Sequence, residues 1–446
     1  MKQTTSVPIE ASKPMNEFSF VDSFVPVPGH LSFLNDLQAR ALETYRSLPF
    51  PDETTSGWHK VSLQGLSSQS YHLPATSIAC EPERVGVELA TKYAKQMLCC
   101  RQIVSQQGRR VNVPAIQGTG LSFGLSSDPA VAFPEKIIQK IGQIVPAVSD
   151  KFTAFGYAFA STSTVFYLAE DQVLKAPVFY QEIQQGNHLA VPSTTLIYLA
   201  RNSSATLVRQ RISDDPSHDQ FSAGVLEVHL EEGAHLDLLD LNGVSSQSWD
   251  FQNQKVILEK DAVLNEFTLL HSPGFSKYRM QADLAGKGSQ ANITGLFLPA
   301  GKQRFYMDTH QNHLGENTVS DLQYRGVMDG ESQSRWEGMI YVDPKALRAD
   351  GYQANHNLIL SRSAKVDAIP GLEILTDDVR CSHGVTVTNI DPEQQFYLTS
   401  RGIPGKEGVE LIVSGFIQKA LDRVSLDSLR QMIAEEFISR INKTML

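Results

Sequence analysis

Apolar positions along this chain change period twice. Up to about residue 144 they recur at helical spacing. Leu34, Leu37, Ala41, Leu42 and Tyr45 share one face of a stretch over residues 30–48, and Pro49 ends it. Val85, Leu89, Tyr93, Met97 and Cys100 recur at three- and four-residue steps over residues 82–101. They predict a second helix, with Cys100 filling its core face. Residues 133–144, with Pro134 at the start, predict a third.

From about residue 160 the period shortens. Val165–Leu168, Thr195–Leu199, Ala205–Val208, Val225–Leu230 and His235–Leu238 are short β-type runs, and several alternate strictly. Leu226, Val228 and Leu230 face one way, Glu227 and His229 the other. Small residues at Gly233-Ala234, Asp261-Ala262 and Gly288-Ser289 mark turns spaced about one solenoid coil apart. Many short strands with recurrent turns fit a sandwich, a barrel or a β-solenoid. After Gly405 the helical period returns. Val409, Ile412, Phe416, Ala420 and Val424 make one stripe. Ser425 reads as an N-cap, with Asp427 placed well for the helix dipole. Leu429, Ile433, Phe437 and Ile441 stripe a second helix, giving a hairpin that caps the β-stack, docks a partner, or does both.

The expected organisation is therefore a flexible polar lead-in over 1–29, a mainly helical region over 30–159, a β core over 160–395 and a helical region over 396–446.

The 446-residue chain has 41% hydrophobic and 20% charged residues, ordinary for a globular protein. Its net charge of −10 argues against nucleic acid or an anionic membrane as partner. No apolar run reaches transmembrane length and no signal-peptide core is visible, so a cytoplasmic location is expected. The four cysteines, Cys80, Cys99, Cys100 and Cys381, form no paired C-x-x-C modules. They predict a reduced protein without a disulfide framework.

Several motifs invite chemistry and fail. Gly120-Leu-Ser122-Phe-Gly124 matches a nucleophile elbow, but Ser126, Asp128 and Pro129 read as loop, where a helix is required. Phe123 occupies the third-glycine position of a dinucleotide fingerprint begun by Gly118 and Gly120. Gly301-Lys302 is followed by Gln303 and Gly286-Lys287 by Gly288, so neither forms a phosphate loop and no ATP hydrolysis is expected. Asp308, His310 and His313 offer metal-type ligands next to a turn-like Gly315-Glu-Asn, and a surface or structural role is the favoured reading. Cys381 and His383 are the leading candidates. On a strand, residues two apart face the same side, and a thiol with an imidazole suits a soft metal or sulfur site. Two ligands do not close a metal site, so any cluster here must borrow others.

The wider wording around them is more specific. Over roughly residues 318–416 the chain resembles the SufB/SufD family of iron–sulfur cluster assembly scaffolds. The resemblance rests on Thr318-Val-Ser320 leading to Arg325-Gly326, Trp336-Glu-Gly338-Met-Ile340-Tyr-Val342 and Tyr352-Gln353-Ala-Asn355 leading to Leu358-Ile-Leu360-Ser361. It continues through Pro370-Gly-Leu372-Glu373-Ile374, Asp377-Asp378-Val379-Arg380-Cys381-Ser382-His383-Gly384 and Phe396-Tyr397-Leu398 leading to Arg401-Gly402. Gly57-Trp58-His-Lys-Val-Ser-Leu and Lys151-Phe-Thr-Ala-Phe-Gly-Tyr-Ala-Phe-Ala resemble the SufD branch. Val385 and Thr388 depart from the family's usual Ala and Gly after the His-Gly pair.

The resemblance implies a mainly β fold: a right-handed parallel β-helix core flanked by N-terminal and C-terminal helical regions. It implies a non-catalytic subunit that pairs with a SufB-like paralogue and docks a SufC-like ABC ATPase through its C-terminal helices. It also implies a transient iron–sulfur cluster shared with SufB, with His383 at the interface and Cys381 beside it. The rival readings are a self-pairing SufB-like scaffold, a purely structural β-helix adaptor, and a β-helix carbohydrate-active enzyme. The last would need an acidic or calcium-binding groove that is not evident here.

Overall fold

A computed structural model describes residues 16–26, 31–74, 99–104, 109–111, 120–128, 131–427, 430–431 and 433–435. The core is a parallel β-solenoid. The first strands are β1 (Cys99–Val104), β2 (Arg109–Val111), β3 (Leu121–Leu125), β4 (Thr164–Leu168), β5 (Val178–Gln184), β6 (Leu189–Leu199) and β7 (Ser204–Ser213). Then come β8 (Gln220–Leu230), β9 (His235–Gly243), β10 (Trp249–Leu258), β11 (Val263–Leu270), β12 (Phe275–Leu284) and β13 (Gln290–Phe297). The last coils carry β14 (Arg304–His313), β15 (Val319–Met328), β16 (Gln333–Val342), β17 (Ala349–Ile359), β18 (Lys365–Ile374) and β19 (Val379–Asn389).

From β4 onward, even-numbered strands stack into one sheet and odd-numbered strands into the other. Each strand is parallel to the strand two places on in sequence, so every coil lends one strand to each sheet. The early end is closed differently. There β3 lies antiparallel to β4, and the β1–β2 antiparallel pair covers the edge of β5.

The coils turn at a column of left-handed corners. Asn202, Gly233, Asp261, Gly288 and Asn317 all have φ between 53° and 75°. Glycine, asparagine and aspartate tolerate that conformation best. Each corner N–H donates to a carbonyl one coil on, as from Asn202 to Glu232, Gly233 to Lys260 and Asp261 to Lys287. The turns read from Gly233, Asp261 and Gly288 are three consecutive members of this column.

The alternation read for β8 holds, with Leu226, Val228 and Leu230 in the interior core. Part of the interior is polar. Arg209 pairs with Glu182 at 3.0 Å, Arg211 pairs with Asp250 at 2.8 Å, and all four residues are buried. Further along, Glu266 accepts from Gln254 and Thr268.

Helical layers cover the outer faces. α1 (Ser32–Ser47), α2 (Glu135–Ile138) and α3 (Lys151–Phe159) lie on the even-strand sheet. Every residue of α3 is buried, and Phe152 stacks on Phe251 of β10 with ring centroids 3.8 Å apart. Lys151 donates to the carbonyls of Tyr45 and Leu48, satisfying the end of α1. On the odd-strand sheet, α4 (Pro392–Ser400) is followed by α5 (Gly405–Leu421). Val413, Ile417, Ala420 and Leu421 of α5 pack on Leu239, Phe267 and Leu296. Residues 427, 430–431 and 433–435 are helical too, and Ile433 is buried, in keeping with the second stripe.

Four expectations change. The lead-in over 1–29 contains a packed segment, because Phe18 and Val21 are buried and Phe18 meets the rings of Phe155 and Phe221. The helix expected over 82–101 falls mostly outside the described residues, and its last three positions, Cys99 to Arg101, belong to β1, whose neighbour β5 pairs with them. The helix expected over 133–144 shortens to α2, since the chain turns where Gly142 adopts φ 77°. The mainly helical region over 30–159 also contributes β1, β2 and β3 to the sheets.

Burial, reinforced by the nearby Asp240 carboxylate, pushes the Glu266 carboxyl up from its ordinary 4.5 to about 7. The folded state therefore holds a proton that the unfolded chain has released between about pH 4.5 and 7. Glu266 contributes stability that is present below that window and is lost as pH rises through it. Urea denaturation at pH 5 and pH 7.5 should show a smaller loss of stability across this interval in Glu266→Gln than in the wild type. An unchanged difference would disprove the assignment.

Candidate functional site

The solenoid's last coil is where β18 and β19 end their sheets, each paired on one side alone among the described residues. The other side of each presents backbone donors and acceptors without a strand partner. Apolar side chains cluster on the same coil and its outgoing turn. Ile369, Leu372, Ile374, Leu375, Val385 and Val387 are 37–49% exposed. The edge is therefore mixed, with this apolar surface interspersed with Lys365, Asp367, Pro370, Glu373 and Arg380.

Cys381 and His383 lie on β19, opposite Gly351 and Gln353 of β17. Alternation puts both on the side of Val379. Cys381 packs beside Val379 against Ile340, Val342, Ala346 and Ala349, so that side is the solenoid interior. Cys381 is partly covered, whereas His383, two residues on, is exposed where no further coil follows. Burial pushes the Cys381 thiol up from its ordinary value. A hydrogen bond from the Gly351 N–H opposes the shift, and the Asp350 carboxylate adds to it.

Gly351 matters sterically. A Cβ placed there would lie 3.1 Å from His313 Nε2 and 3.3 Å from Cys381 Sγ. The bare Cα of Gly351 lets the imidazole from β14 and the thiol from β19 converge beneath β17. His313 is fully buried, held at Nδ1 by the Thr318 hydroxyl (2.7 Å) and at Nε2 by that of Ser320 (2.8 Å). Burial drives its pKa down to about 4, so it is a neutral imidazole.

The triad suggested by Asp308, His310 and His313 does not form. All three are on β14, where parity sends Asp308 and His310 outward and His313 inward. Ser122 sits on β3 opposite Tyr167 of β4, in regular antiparallel pairing, which excludes the strand-to-helix elbow. Among the described residues, no group of three or more His, Cys, Asp or Glu is placed to hold a metal ion. The convergence of His313 on Cys381 was not foreseen. The two are far apart in sequence, and only strand parity combined with coil register would have paired them.

The chain is similar in sequence to known proteins. The core-domain family described as "SUF system FeS cluster assembly, SufBD core domain" matches residues 182–416. The iron–sulfur cluster assembly protein SufD of Escherichia coli is 28% identical over 244 residues, 54% of this chain and 57% of that protein, so the match spans less than two thirds of that relative. SufD of Bacillus subtilis is 25% identical over 300 residues, 67% of this chain and 68% of that protein. An iron–sulfur cluster assembly SufBD family protein of Mycobacterium leprae is 23% identical over 293 residues, 64% and 74% of the two chains.

Only the thiolate reacts with alkylating agents, so the shielded Cys381 should be slow. At pH 7, iodoacetamide should modify it at least about fivefold more slowly than a free peptide thiol, read by mass spectrometry of the peptide that contains it. A rate equal to the free thiol would show that the last coil is open.

Proposed function

The chain belongs to the SufB/SufD core-domain family, and we propose that it serves as the SufD-like scaffold subunit of an iron–sulfur cluster assembly complex. The observation that carries this reading is the unpaired last coil, on which exposed apolar residues surround Cys381 and His383. A SufB-like paralogue with a similar open coil would extend both sheets and cover the apolar patch. It would also supply the ligands that Cys381 and His383 lack for a nascent cluster, which is the cargo. A thiolate and an imidazole both ligate iron. The chain itself is read as non-catalytic.

The C-terminal helices are read as the dock for a SufC-like ABC ATPase. α4 buries none of its residues, and its Phe396 and Tyr397 are 75% and 57% exposed. α5, by contrast, is anchored, with Arg423 just beyond it bonded to Asp321 of β15 at 2.7 Å. α4 begins three residues after β19 ends. Movement of α4 by a bound ATPase would therefore reach the strand that carries Cys381 and His383 directly, changing how that site is covered.

Rivals separate by experiment. Co-expression with SufB-like and SufC-like partners should yield one complex of all three by size exclusion with mass determination. A self-pairing homodimer that ignores both partners would overturn the assignment. Val387→Lys places a charge on the apolar edge, on the same side of β19 as Cys381 and His383 but at a half-exposed position. It should abolish pairing with the SufB-like partner while leaving the melting temperature within about 2 °C. His383→Ala should leave the complex assembled and lower cluster maturation in cells severalfold. Wild-type maturation in that variant would remove His383 from the site.

A further inference from the structure

A second site lies away from the open coil, on the outer face of the even-strand sheet. Residues 48–58 and 148–153 of the N-terminal layer arch over β10, β12, β14 and β16 and leave a cavity of about 500 Å³. That volume is in the range of small-molecule sites. Its walls are largely apolar, with Pro49, Pro51, Phe152, Phe251 and Met339 among them.

The charges in its floor are mostly neutralised. Lys277 is bound to Asp308, and its ammonium lies 5.6 Å over the Trp58 ring. Glu337 is bound to Arg335 at 3.2 Å, and Lys151 to Glu17 at 2.6 Å. The Asp150 carboxylate caps α3 through the N–H groups of Phe152 and Thr153. Arg279 is different. It lines the cavity, is partly buried, and no hydrogen bond or ion pair within the described residues satisfies its guanidinium. Its neighbours in the ladder are Asn253 and Asp308, and Asp308 is already engaged by Lys277. His310, one strand over, also lines the cavity. Burial and the Arg279 charge hold its pKa below the ordinary value, so it stays a neutral donor or acceptor.

We propose that this cavity binds a small organic oxyanion, with Arg279 receiving the anionic head group and the proline and aromatic walls covering an apolar body. A guanidinium in a sheltered pocket presents a planar fork that matches carboxylate and phosphate alike. Partial shelter from water strengthens the pairing, and the guanidinium otherwise has no hydrogen-bond or ion-pair partner among the described residues. The cavity is lined by the N-terminal layer and by even-numbered strands, not by the odd-strand sheet that carries Cys381 and His383, so this site stands whether or not the assembly reading does.

The test is equilibrium binding by calorimetry to the full chain, with phenyl phosphate, benzoate and inorganic phosphate as probes. Phenyl phosphate or benzoate should bind saturably, and at least tenfold more tightly than inorganic phosphate. Whichever of the two aryl probes binds tighter names the head group. Arg279→Gln should weaken that probe at least tenfold, Arg279→Lys less, and Arg362→Gln, an equal charge change on an exposed turn, not at all. Amide hydrogen exchange on the wild type should show added protection at residues 55–58 and 148–153 with the probe present, a readout independent of any variant. No saturable binding, equal affinity for inorganic phosphate, an unchanged Arg279→Gln, or no added protection would each overturn the proposal.

Discussion

Parallel stacking of coils is the constraint on which the rest of this molecule depends. A strand in such a stack finds its hydrogen-bond partners only one coil before and one coil after. The interior can then be filled, but the ends cannot be closed by the repeat itself. The early end breaks the rule, with β3 antiparallel to β4 and β2 antiparallel to β1, which itself runs parallel to β5. The late end has no such device among the described residues. β18 and β19 stop with one free side each, and the apolar residues that another coil would have covered stay in solvent. Pro370 and the charges of Lys365, Asp367 and Glu373 guard β18 in part, whereas β19 carries only Arg380, and the thiol and imidazole are on β19.

The two outer faces are managed by the flanking segments. α5 seats a continuous apolar stripe on the odd strands, and the register is fixed further by Arg423 on Asp321 and by Arg325 beneath the Phe416 ring. The N-terminal layer is seated by aromatic packing of Phe18, Phe152 and Phe155 on Phe221 and Phe251. That packing is concentrated over β8 and β10. Beyond it, over β12 to β16, the outward row turns to Lys277, Arg279, Asp308, His310 and Glu337, which a layer of proline and aromatic side chains cannot cover closely. The cavity is what that mismatch leaves.

Much of this was readable in the chain because the coil repeats. Gly233, Asp261 and Gly288 are spaced by one coil, and each takes a left-handed corner for which its residue type is suited. The stripe from Val409 to Val424 is a true buried face because α5 rides on one sheet. The Cys381–His383 pair was legible because a strand repeats every two residues. What failed did so for long-range reasons. Phe18 looks like part of a polar leader until Phe155 and Phe221 arrive from far downstream. Cys99 to Arg101 continue a helical spacing, yet pairing with β5 overrides that local preference. Asp308, His310 and His313 are close in sequence, but their parity divides them between the surface and the interior.

The division between Cys381 and His383 also follows from position in the stack. Both face the interior side of β19, but Cys381 is covered by Ile340, Val342 and Ala349 and His383 is not. A shielded thiol with a raised pKa is mostly protonated near neutral pH, and the protonated form neither oxidises readily nor ligates iron. The His383 imidazole is exposed. On the assembly reading, the imidazole is ready before a partner docks, and the thiol becomes a ligand only when the coil above β17 shifts or a bound cation favours its thiolate. The nearest means of shifting that coil is α4, three residues beyond β19 and without a fully buried side chain of its own. On that reading, coverage of Cys381 and exposure of α4 are two aspects of one arrangement, in which the sulfur would be withheld until a partner moves the last coil.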